Sequence, residues 1–338
     1  MKLLHDRYNG NPPYELEDEY IIPYKNGTLA VINSKTVPYD FENIKVRMDT
    51  IAVVLGDKVE LIPAKAFQCC VNIEHVIMMD SVTEIGSMAF WNCTSLKSIH
   101  LSNSVLLINK YLFYKCINLL NIVIPEHVDG IDDFAFSSCT NLRSVILPKK
   151  LGLLSSDVFC DCVNLETITM PISLEYLQKR TFSGCTQLKT IVFPENLKAI
   201  DDGCFSGCRS LDISTFPNSV IRIGEGAFDG CHSIKSLILP PIKVINSETF
   251  SDCRGLKSVT IHSSNESIGF DTFSGCSSLD SIFIPKTVLY VCGCSFSHYT
   301  SVIYEKLYNS TTRFSTSYIA GLTKDVLKLP AIVLKVNK

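Results

Sequence analysis

The stretch "SMAFWNCTSL" at residues 87–96 places a Cys three residues after a Phe and a Leu three residues after that Cys. The same spacing returns in "TFSGCTQL" at 181–188, in "AFDGCHSI" at 227–234 and in "TFSGCSSL" at 272–279. A single copy could be one helical turn or a fragment of a metal site. Copies at a fixed interval indicate instead a repeat architecture, in which each structural unit stacks on the next.

The Phe of this motif recurs at a nearly constant interval. It stands at positions 67, 90, 113, 136, 159, 182, 205, 228, 250, 273 and 296. Only the step from Phe228 to Phe250 is shorter than the others, by a single residue. We number positions by their offset from this Phe. Position −5 is aliphatic, +3 is Cys in the first ten units, and +9 and +11 are aliphatic in most units, often with Pro after them. This regularity predicts one elongated repeat domain.

Each unit predicts two short extended segments and a turn. Alternating apolar residues at +9 and +11 are typical of a strand with one buried face, and a second extended piece ends at −5. The small or polar residue that follows suits a turn or a helix N-cap, and Phe and Cys at i, i+3 predict a short helical turn. A unit this short cannot bury all these groups alone. Stacked copies, with parallel strands at about 4.8 Å per coil, would bury them and place the Phe rings in an internal column.

Composition excludes several classes of protein. The chain has 338 residues and a formal net charge of −3, which gives no reason to expect nucleic acid or an anionic membrane as partner. No apolar run approaches the length of a membrane span, so we expect no membrane insertion. The N-terminal residues do not read as a signal peptide, so we expect either an intracellular protein or a leader that this chain does not include.

Fifteen cysteines are present, and ten of them occupy position +3. A metal ladder, a disulfide stack and buried thiols are all conceivable; one thiol per coil in a core position favours buried thiols, because free Cys packs as a small apolar residue. The state of the five other cysteines is left open. They are Cys69, Cys160, Cys204, Cys292 and Cys294.

No catalytic or cofactor motif accompanies the repeat. The His residues are scattered, and the Cys-x-Cys pairs lack the second ligand pair of a zinc site. We therefore expect no enzymatic activity, no cofactor and no bound metal.

These units resemble the BspA-like branch of the leucine-rich repeat superfamily, whose repeat reads roughly "I-g-x-x-A-F-x-x-C-x-x-L-x-x-I-x-I-P-x-x-V". Residues 223–240, IGEGAFDGCHSIKSLILP, match it nearly position for position. The resemblance implies a right-handed solenoid of about 11 repeats, with a parallel β-sheet on one face and short helical turns on the other. It also implies a binding role, because such proteins are typically surface or secreted proteins of bacteria and some protozoa that are implicated in adhesion.

We expect three segments: a β-rich N-terminal cap over 1–58, the solenoid over 59–296 and a C-terminal cap over 297–338. Residues 20–33 should form a hairpin that turns at Asn26-Gly27. Three departures from the repeat are expected to disturb it locally. Ser214 occupies an inward position with Ile213 beside it, one residue is missing near Pro240-Pro241, and the pattern of strand and Cys is lost after Phe296.

Positions +8 and +10 should point outward if +9 and +11 point inward. Position +8 is mostly small and polar, whereas six of ten residues at +10 are apolar. The β-propensity of branched residues could explain this column, and so could a binding stripe. The candidate partner-binding residues are His75, Ile77, His100, Val123, Ile146, Val192, Ile213, Ile238 and Phe283.

The sequence thus predicts a monomeric, non-enzymatic protein that binds protein ligands, such as host extracellular or cell-surface proteins, through its exposed sheet. We expect it on the cell surface or secreted; an intracellular scaffold with the same fold is the alternative. Position +7 carries charges of both signs, which would stabilise the register weakly if they pair along the stack.

Overall fold

A computed structural model describes residues 19–24, 27–32, 50–297, 300–305, 313–314 and 331–335. Within 50–297 the chain winds through successive coils, each one sequence repeat long, and corresponding segments of neighbouring coils lie side by side. We number the coils 1 to 11 by their Phe, from Phe67 to Phe296.

The segment after most of these Phe residues forms the first ladder of parallel strands, and a strand that precedes Phe67 extends this ladder. Its strands are β3 (Thr50–Leu55), β5 (His75–Met78), β7 (Ser98–His100), β9 (Asn121–Val123), β11 (Ser144–Ile146), β13 (Thr167–Ile168), β17 (Ser236–Ile238), β19 (Ser258–Thr260) and β21 (Ser281–Ile284). Where neighbours pair, the register is one repeat, as in the pairing of Ser144 with Asn121 and with Thr167. The prediction of parallel stacking is confirmed.

The segment before each Phe forms a second ladder of two-residue strands. They are β4 (Leu61–Ile62), β6 (Glu84–Ile85), β8 (Leu107–Ile108), β10 (Gly130–Ile131), β12 (Leu153–Leu154), β14 (Tyr176–Leu177), β15 (Ala199–Ile200), β16 (Arg222–Ile223), β18 (Val244–Ile245), β20 (Ser267–Ile268) and β22 (Tyr290–Val291). The residue at −5 is buried in every coil. The residue at −6 is exposed or half-buried in every coil except the fourth, where it is Gly130.

The turn around each Phe is not the helical turn that the sequence predicts, since no residue of 50–297 is helical. Positions −2 and +2 of coils 1 to 10 have φ between +51° and +75°, a left-handed conformation that ends any helix at once. Amides at −2, 0 and +2 instead donate to the next coil, as Phe159 N does to Thr181 O (2.9 Å). Alternate amides close tight turns within the coil, as Cys162 N does to Phe159 O (3.1 Å).

The Phe rings form the predicted internal column. Rings of consecutive coils from Phe67 to Phe296 have centroids 5.1 to 5.8 Å apart and planes within 20° of parallel. The rings of the first ten coils are completely buried, and they belong to one continuous core with the residues at −5, +3, +6, +9 and +11. Offset parallel rings at this spacing add to the free energy that comes from burying them.

The missing residue near Pro240 is absorbed in one turn. Other coils close this turn with a three-residue step, as Val220 N does to Pro217 O (3.1 Å), whereas Ile242 N donates to Pro240 O (2.8 Å), only two residues back. The next Phe therefore stays in register, with its ring 5.5 Å from that of Phe228.

Short strands extend the stack at both ends. At the N-terminal end β1 (Glu19–Tyr24) pairs antiparallel with β2 (Gly27–Ile32), as the predicted hairpin requires, and β2 runs parallel to β3. Gly27, which the prediction places in the turn, is the first residue of β2 and pairs with Tyr24. Residues 25–26 lie outside the described residues.

The strand pattern is not lost after Phe296, contrary to the sequence prediction. β23 (Ser301–Glu305) continues the first ladder parallel to β21, with Ser301 opposite Ser281, a separation shorter than one full repeat. Val302 and Tyr304 point inward, so the strand shares the core. Two more strands, β24 (Arg313–Phe314) and β25 (Ala331–Lys335), pair with β22 and β23. The +3 position of this coil, Tyr299, lies outside the described residues.

We expect Phe159→Ala to lower the free energy of unfolding by about 3–5 kcal/mol, because the ring is fully buried between Phe136 and Phe182. Denaturant melts of the variant and the parent chain measure the difference. The exposed Val192→Ala serves as control and should change it by less than about 0.5 kcal/mol. A loss under about 1 kcal/mol for Phe159→Ala would contradict the buried column.

Candidate partner-binding face

The residues at +8 and +10 of coils 1 to 10 form the outward side of the first ladder, and we call these twenty positions the uncharged face. They run from His75 to Phe283, and none of them is Asp, Glu, Lys or Arg, in a chain that is 19% charged. Solvent-facing strand positions ordinarily carry charges, whereas the cores of protein interfaces are depleted of them. The composition of this face therefore separates it from ordinary solvated strand surface.

Most of the predicted binding residues are exposed on this face. His100 is exposed, and the exposed fractions of five apolar side chains lie between 51% and 81%; these are Val123, Ile146, Val192, Ile238 and Phe283. Val123 and Ile146 lie on adjacent strands in direct register. The sheet thus presents apolar side chains on several coils along the stack.

Ile213 does not belong to this exposed set, and its assignment as a binding residue is wrong. Its side chain is buried, whereas Ser214 and Thr215 are exposed. The inward position +9 of this coil holds a Ser, so the backbone shifts to bury its aliphatic neighbour instead. This is the local shift that the sequence predicts at Ser214, and no strand forms there.

The N-terminal end of the face is partly covered. Ile77 is half-buried and packs against a small cluster around Ala52 and Val54 on β3. His75 is half-buried as well, and its Nδ1 lies 2.8 Å from Ser98 Oγ. The freely exposed part of the face therefore begins at coil 2.

Polar side chains on and beside the face bond to each other along the stack. Ser144 Oγ donates to Asn121 Oδ1 (2.7 Å). At position +5, Asn141 Nδ2 donates to Asn118 Oδ1 (3.1 Å), and Asn164 Nδ2 donates to Asn141 Oδ1 (3.3 Å). Because these groups partly satisfy one another, the aliphatic residues at +10 are the groups left to contact a partner.

Charged residues at +7 border the face and pair between coils, as the sequence predicts. Ion pairs join Glu74 to Lys97 (2.9 Å), Glu166 to Lys189 (2.8 Å) and Asp212 to Lys235 (3.3 Å). The hydrogen bond from Lys189 lowers the pKa of Glu166. Exposed pairs of this kind contribute little to stability. Because most of the charges at +7 are paired, the border of the uncharged face carries little net charge.

The absence of charged residues at +8 and +10 distinguishes this face in the sequence. A search for exposed apolar side chains alone does not find this feature. Apolar exposure is not confined to this face, since Leu106, Leu153 and Ile221 on or beside the second ladder are also exposed. The second ladder is different because charged residues are interspersed there, eight of them at positions −7 and −6. Counting charges at outward positions distinguishes the two ladders from sequence alone.

All fifteen cysteines are free thiols. In coils 2 to 10 the thiol at +3 donates to the carbonyl of the Phe in the preceding coil, as Cys139 Sγ does to Phe113 O (3.1 Å). Burial raises the pKa of the Cys116 and Cys139 thiols well above its ordinary value. A protonated, enclosed thiol is unreactive, so this series is architectural.

The five cysteines outside the series differ in exposure. Cys204 is buried, and burial raises the pKa of the half-buried Cys160 to about 12. Cys69, Cys292 and Cys294 are exposed. Within the described ranges, no three His, Cys, Asp or Glu side chains are grouped as a metal site requires. The described part of the chain contains no helix that is long and apolar enough to cross a bilayer.

Parallel coils of one repeat, an internal aromatic column and an outward strand face define a leucine-rich repeat solenoid. The family model for the BspA type leucine rich repeat region matches residues 60–189, 106–235, 152–279 and 198–324, which together span 60–324. The chain belongs to this family. A comparison with curated proteins finds no significant match.

Solved structures with a similar fold come from bacteria. A leucine-rich repeat protein from Bacteroides ovatus is 23% identical, with a TM-score of 0.60 and 90% of each chain covered. One from Eubacterium ventriosum is 19% identical, with a TM-score of 0.50 and 81% of this chain and 84% of that chain covered. A leucine rich cell surface protein from Faecalibacterium prausnitzii is 23% identical, with a TM-score of 0.46 and 88% and 96% covered. At these identities the likeness concerns the fold.

Brief thiol labelling of the reduced, native protein should modify Cys69, Cys292 and Cys294, because only these three are exposed. The remaining thiols should react only in denaturant, since they are buried or half-buried and the reagent cannot reach them. Mass spectrometry of the labelled peptides identifies the sites. A C69S/C292S/C294S variant should show no rapid labelling in the native state. Rapid native labelling of any +3 cysteine would contradict the buried series.

Proposed function

We propose that this protein is a non-enzymatic binding protein that recognises protein ligands through the uncharged face. The observation that carries the proposal is that the twenty +8 and +10 positions, of which Ile213 alone is buried, contain no Asp, Glu, Lys or Arg over ten coils. A surface of this kind costs less free energy to desolvate than a charged one, because no Asp, Glu, Lys or Arg has to be removed from water. Exposed aliphatic groups then contribute the apolar area that drives association.

The extent of the face fits a macromolecular partner better than a small ligand. Its ten coils at about 4.8 Å span roughly 45 Å. Small ligands bind in enclosed concave pockets that bury most of their surface. The exposed apolar groups of the face instead occur on five coils between Val123 and Phe283, with Thr residues at the same position in the coils between them.

We place the protein on the cell surface or in the extracellular space, as an adhesin-like module that binds host or other cell proteins. Membership of the BspA type family supports this location, because adhesion at surfaces is the role that the resemblance implies. The alternative is an intracellular scaffold with the same binding face. One observation favours that alternative: all fifteen cysteines are free, which suits a reducing compartment.

The binding face is tested by V123K/I146K/V192K. All three side chains are exposed, so the melting curve should hardly change. A Lys buried against a partner is costly to desolvate, so capture of partner proteins from host and bacterial extracts should fall at least tenfold, by about 1.4 kcal/mol or more.

The matched control is V71K/I117K/F270K, which places three Lys at exposed apolar positions on the turns, away from the face. It should capture the same proteins as the parent chain. Equal capture by both variants would rule out the uncharged face. Protease treatment of intact cells that make the protein separates the two locations, since only a surface protein is cleaved without lysis.

A further inference from the structure

A small pit opens on the surface where the second ladder divides. The sheet β8–β10–β12 ends at coil 5 and the sheet β14–β15–β16 begins at coil 6, so within residues 50–297 β12 and β14 do not pair. An open cavity of about 230 Å³ lies between these two coils, and we call it the coil 5–6 pit. The lining residues that determine its chemistry are Gly152, Leu153, Ser173, Glu175, Tyr176 and Gln178.

Gly152 keeps the pit open. It occupies position −7, which carries a side chain in all the other coils. The backbone does not require glycine here, because φ of Gly152 lies outside the left-handed region and an added Cβ would meet only the carbonyl oxygen of Asp129, at an ordinary 3.4 Å. The fold therefore does not account for this glycine, whereas the open space in front of it does.

Three polar side chains of the pit have unused hydrogen-bonding capacity. Glu175 Oε2 accepts from Lys198 Nζ (2.6 Å), which leaves Glu175 Oε1 without a partner among the described residues. Ser173 Oγ donates to Leu151 O (2.7 Å) and can still accept. The side-chain amide of Gln178, which can donate and accept, forms no hydrogen bond within the described part of the chain.

Tyr176 forms an apolar wall of the pit, and 50% of its side chain is exposed. Lys198 Nζ lies 6.0 Å from the centroid of this ring and also pairs with Glu175. Lys198 itself belongs to coil 7 and does not line the pit. It therefore holds two pit residues in place without filling the space, which lowers the cost of ordering them when a ligand binds.

The pit has little net charge, which argues against a cationic or an apolar ligand. The acidic side chains of Asp129 and Glu175 flank Gly152 in its column, but Lys198 neutralises Glu175 and the exposed Lys150 lies two residues before Gly152. A cation would thus gain little from the carboxylates. An apolar ligand would leave the polar side chains unpaired, and unpaired polar groups that lose water cost free energy.

We propose that the coil 5–6 pit binds one neutral sugar residue of a glycan. A pyranose carries adjacent hydroxyl groups, each able to donate and accept, as the side chains of Glu175, Ser173 and Gln178 require. The C–H groups on one face of its ring carry a weak positive charge, which the negative face of the Tyr176 ring attracts. The volume suits a single sugar residue, since it lies below the ~300–1,000 Å³ of sites for drug-sized ligands.

This binding activity goes beyond the proposed recognition of proteins. Because the pit lies on the second ladder, a glycan bound there leaves the uncharged face free for a protein. A single sugar residue makes few contacts, so we expect a Kd of roughly millimolar order.

Saturation-transfer NMR of the full chain tests the proposal, with the methyl glycosides of glucose, galactose, mannose and N-acetylglucosamine as probes. At least one glycoside should receive saturation, most strongly at the C–H groups of one ring face. G152L fills the pit and Y176A removes its aromatic wall. Titrations should show that each variant raises the Kd at least about tenfold.

Matched controls use the same columns in distant coils. T83L adds a Leu at the exposed −7 position of coil 2, and Y290A removes a 54% exposed Tyr at the −6 position of coil 11. Both should bind the glycosides like the parent chain. Thermal melts verify folding, and G152L should melt no lower than the parent because its Cβ has room.

The test is independent of the uncharged face, since V123K/I146K/V192K should bind the glycosides like the parent chain. Absence of saturation transfer to all four glycosides would overturn the proposal, as would unchanged binding by G152L. Methylguanidinium serves as a cationic probe. If it bound the parent chain more tightly than the glycosides and G152L abolished that binding, the pit would be a cation site and the proposal would be wrong.

Discussion

The structure depends on the hydrogen bond that each Phe amide donates to the next coil. Ten such bonds run without interruption from Phe67 to Phe273, with N–O distances of 2.7 to 3.0 Å, whereas both β-ladders divide into shorter sheets. This bond fixes the axial position of each ring relative to the next. The amides at −2 and +2 make the same kind of bond, and the left-handed backbone at those positions allows it. Stacking of the rings and packing of the thiols follow from a register that the backbone sets.

Cooperation between coils explains why the strained turn is tolerated. A non-Gly residue with positive φ costs about 1–2 kcal/mol, and positions −2 and +2 carry such residues in many coils, including Tyr111 and Lys115. Each left-handed residue turns its amide toward the neighbouring coil and so gains a hydrogen bond that a helical turn would keep within the coil. A solenoid can use that bond because every coil has an equivalent neighbour.

Much of the fold could be predicted from the sequence, because the columns of a repeat reveal which positions are buried. Phe159, Cys162 and the residues at +9 and +11 lie where their periodicity places them. The turn could not be predicted, because Phe and Cys at i, i+3 suit a helical turn and a pair of tight turns equally well. The repeat pattern does not place the strand Ser301–Glu305, because that strand follows the strand of the previous coil at less than one full repeat.

The candidate site was also predicted in part, because the columns of the repeat indicate which strand positions face outward. Val123 and Ile146 are exposed because the alternation of a strand is strict, whereas Ile213 is buried because one polar residue at +9 shifts its coil. The absence of charge over the whole face is encoded in the sequence but appears only when both outward columns are read together.

Native-state hydrogen exchange of the Phe amides tests the central claim most directly. If the amide bonds of the Phe column hold the coils in register, the amides from Phe67 to Phe273 should be among the slowest to exchange, and those of the central coils should open together. Exchange of the central Phe amides as fast as that of amides in exposed surface loops would contradict the account.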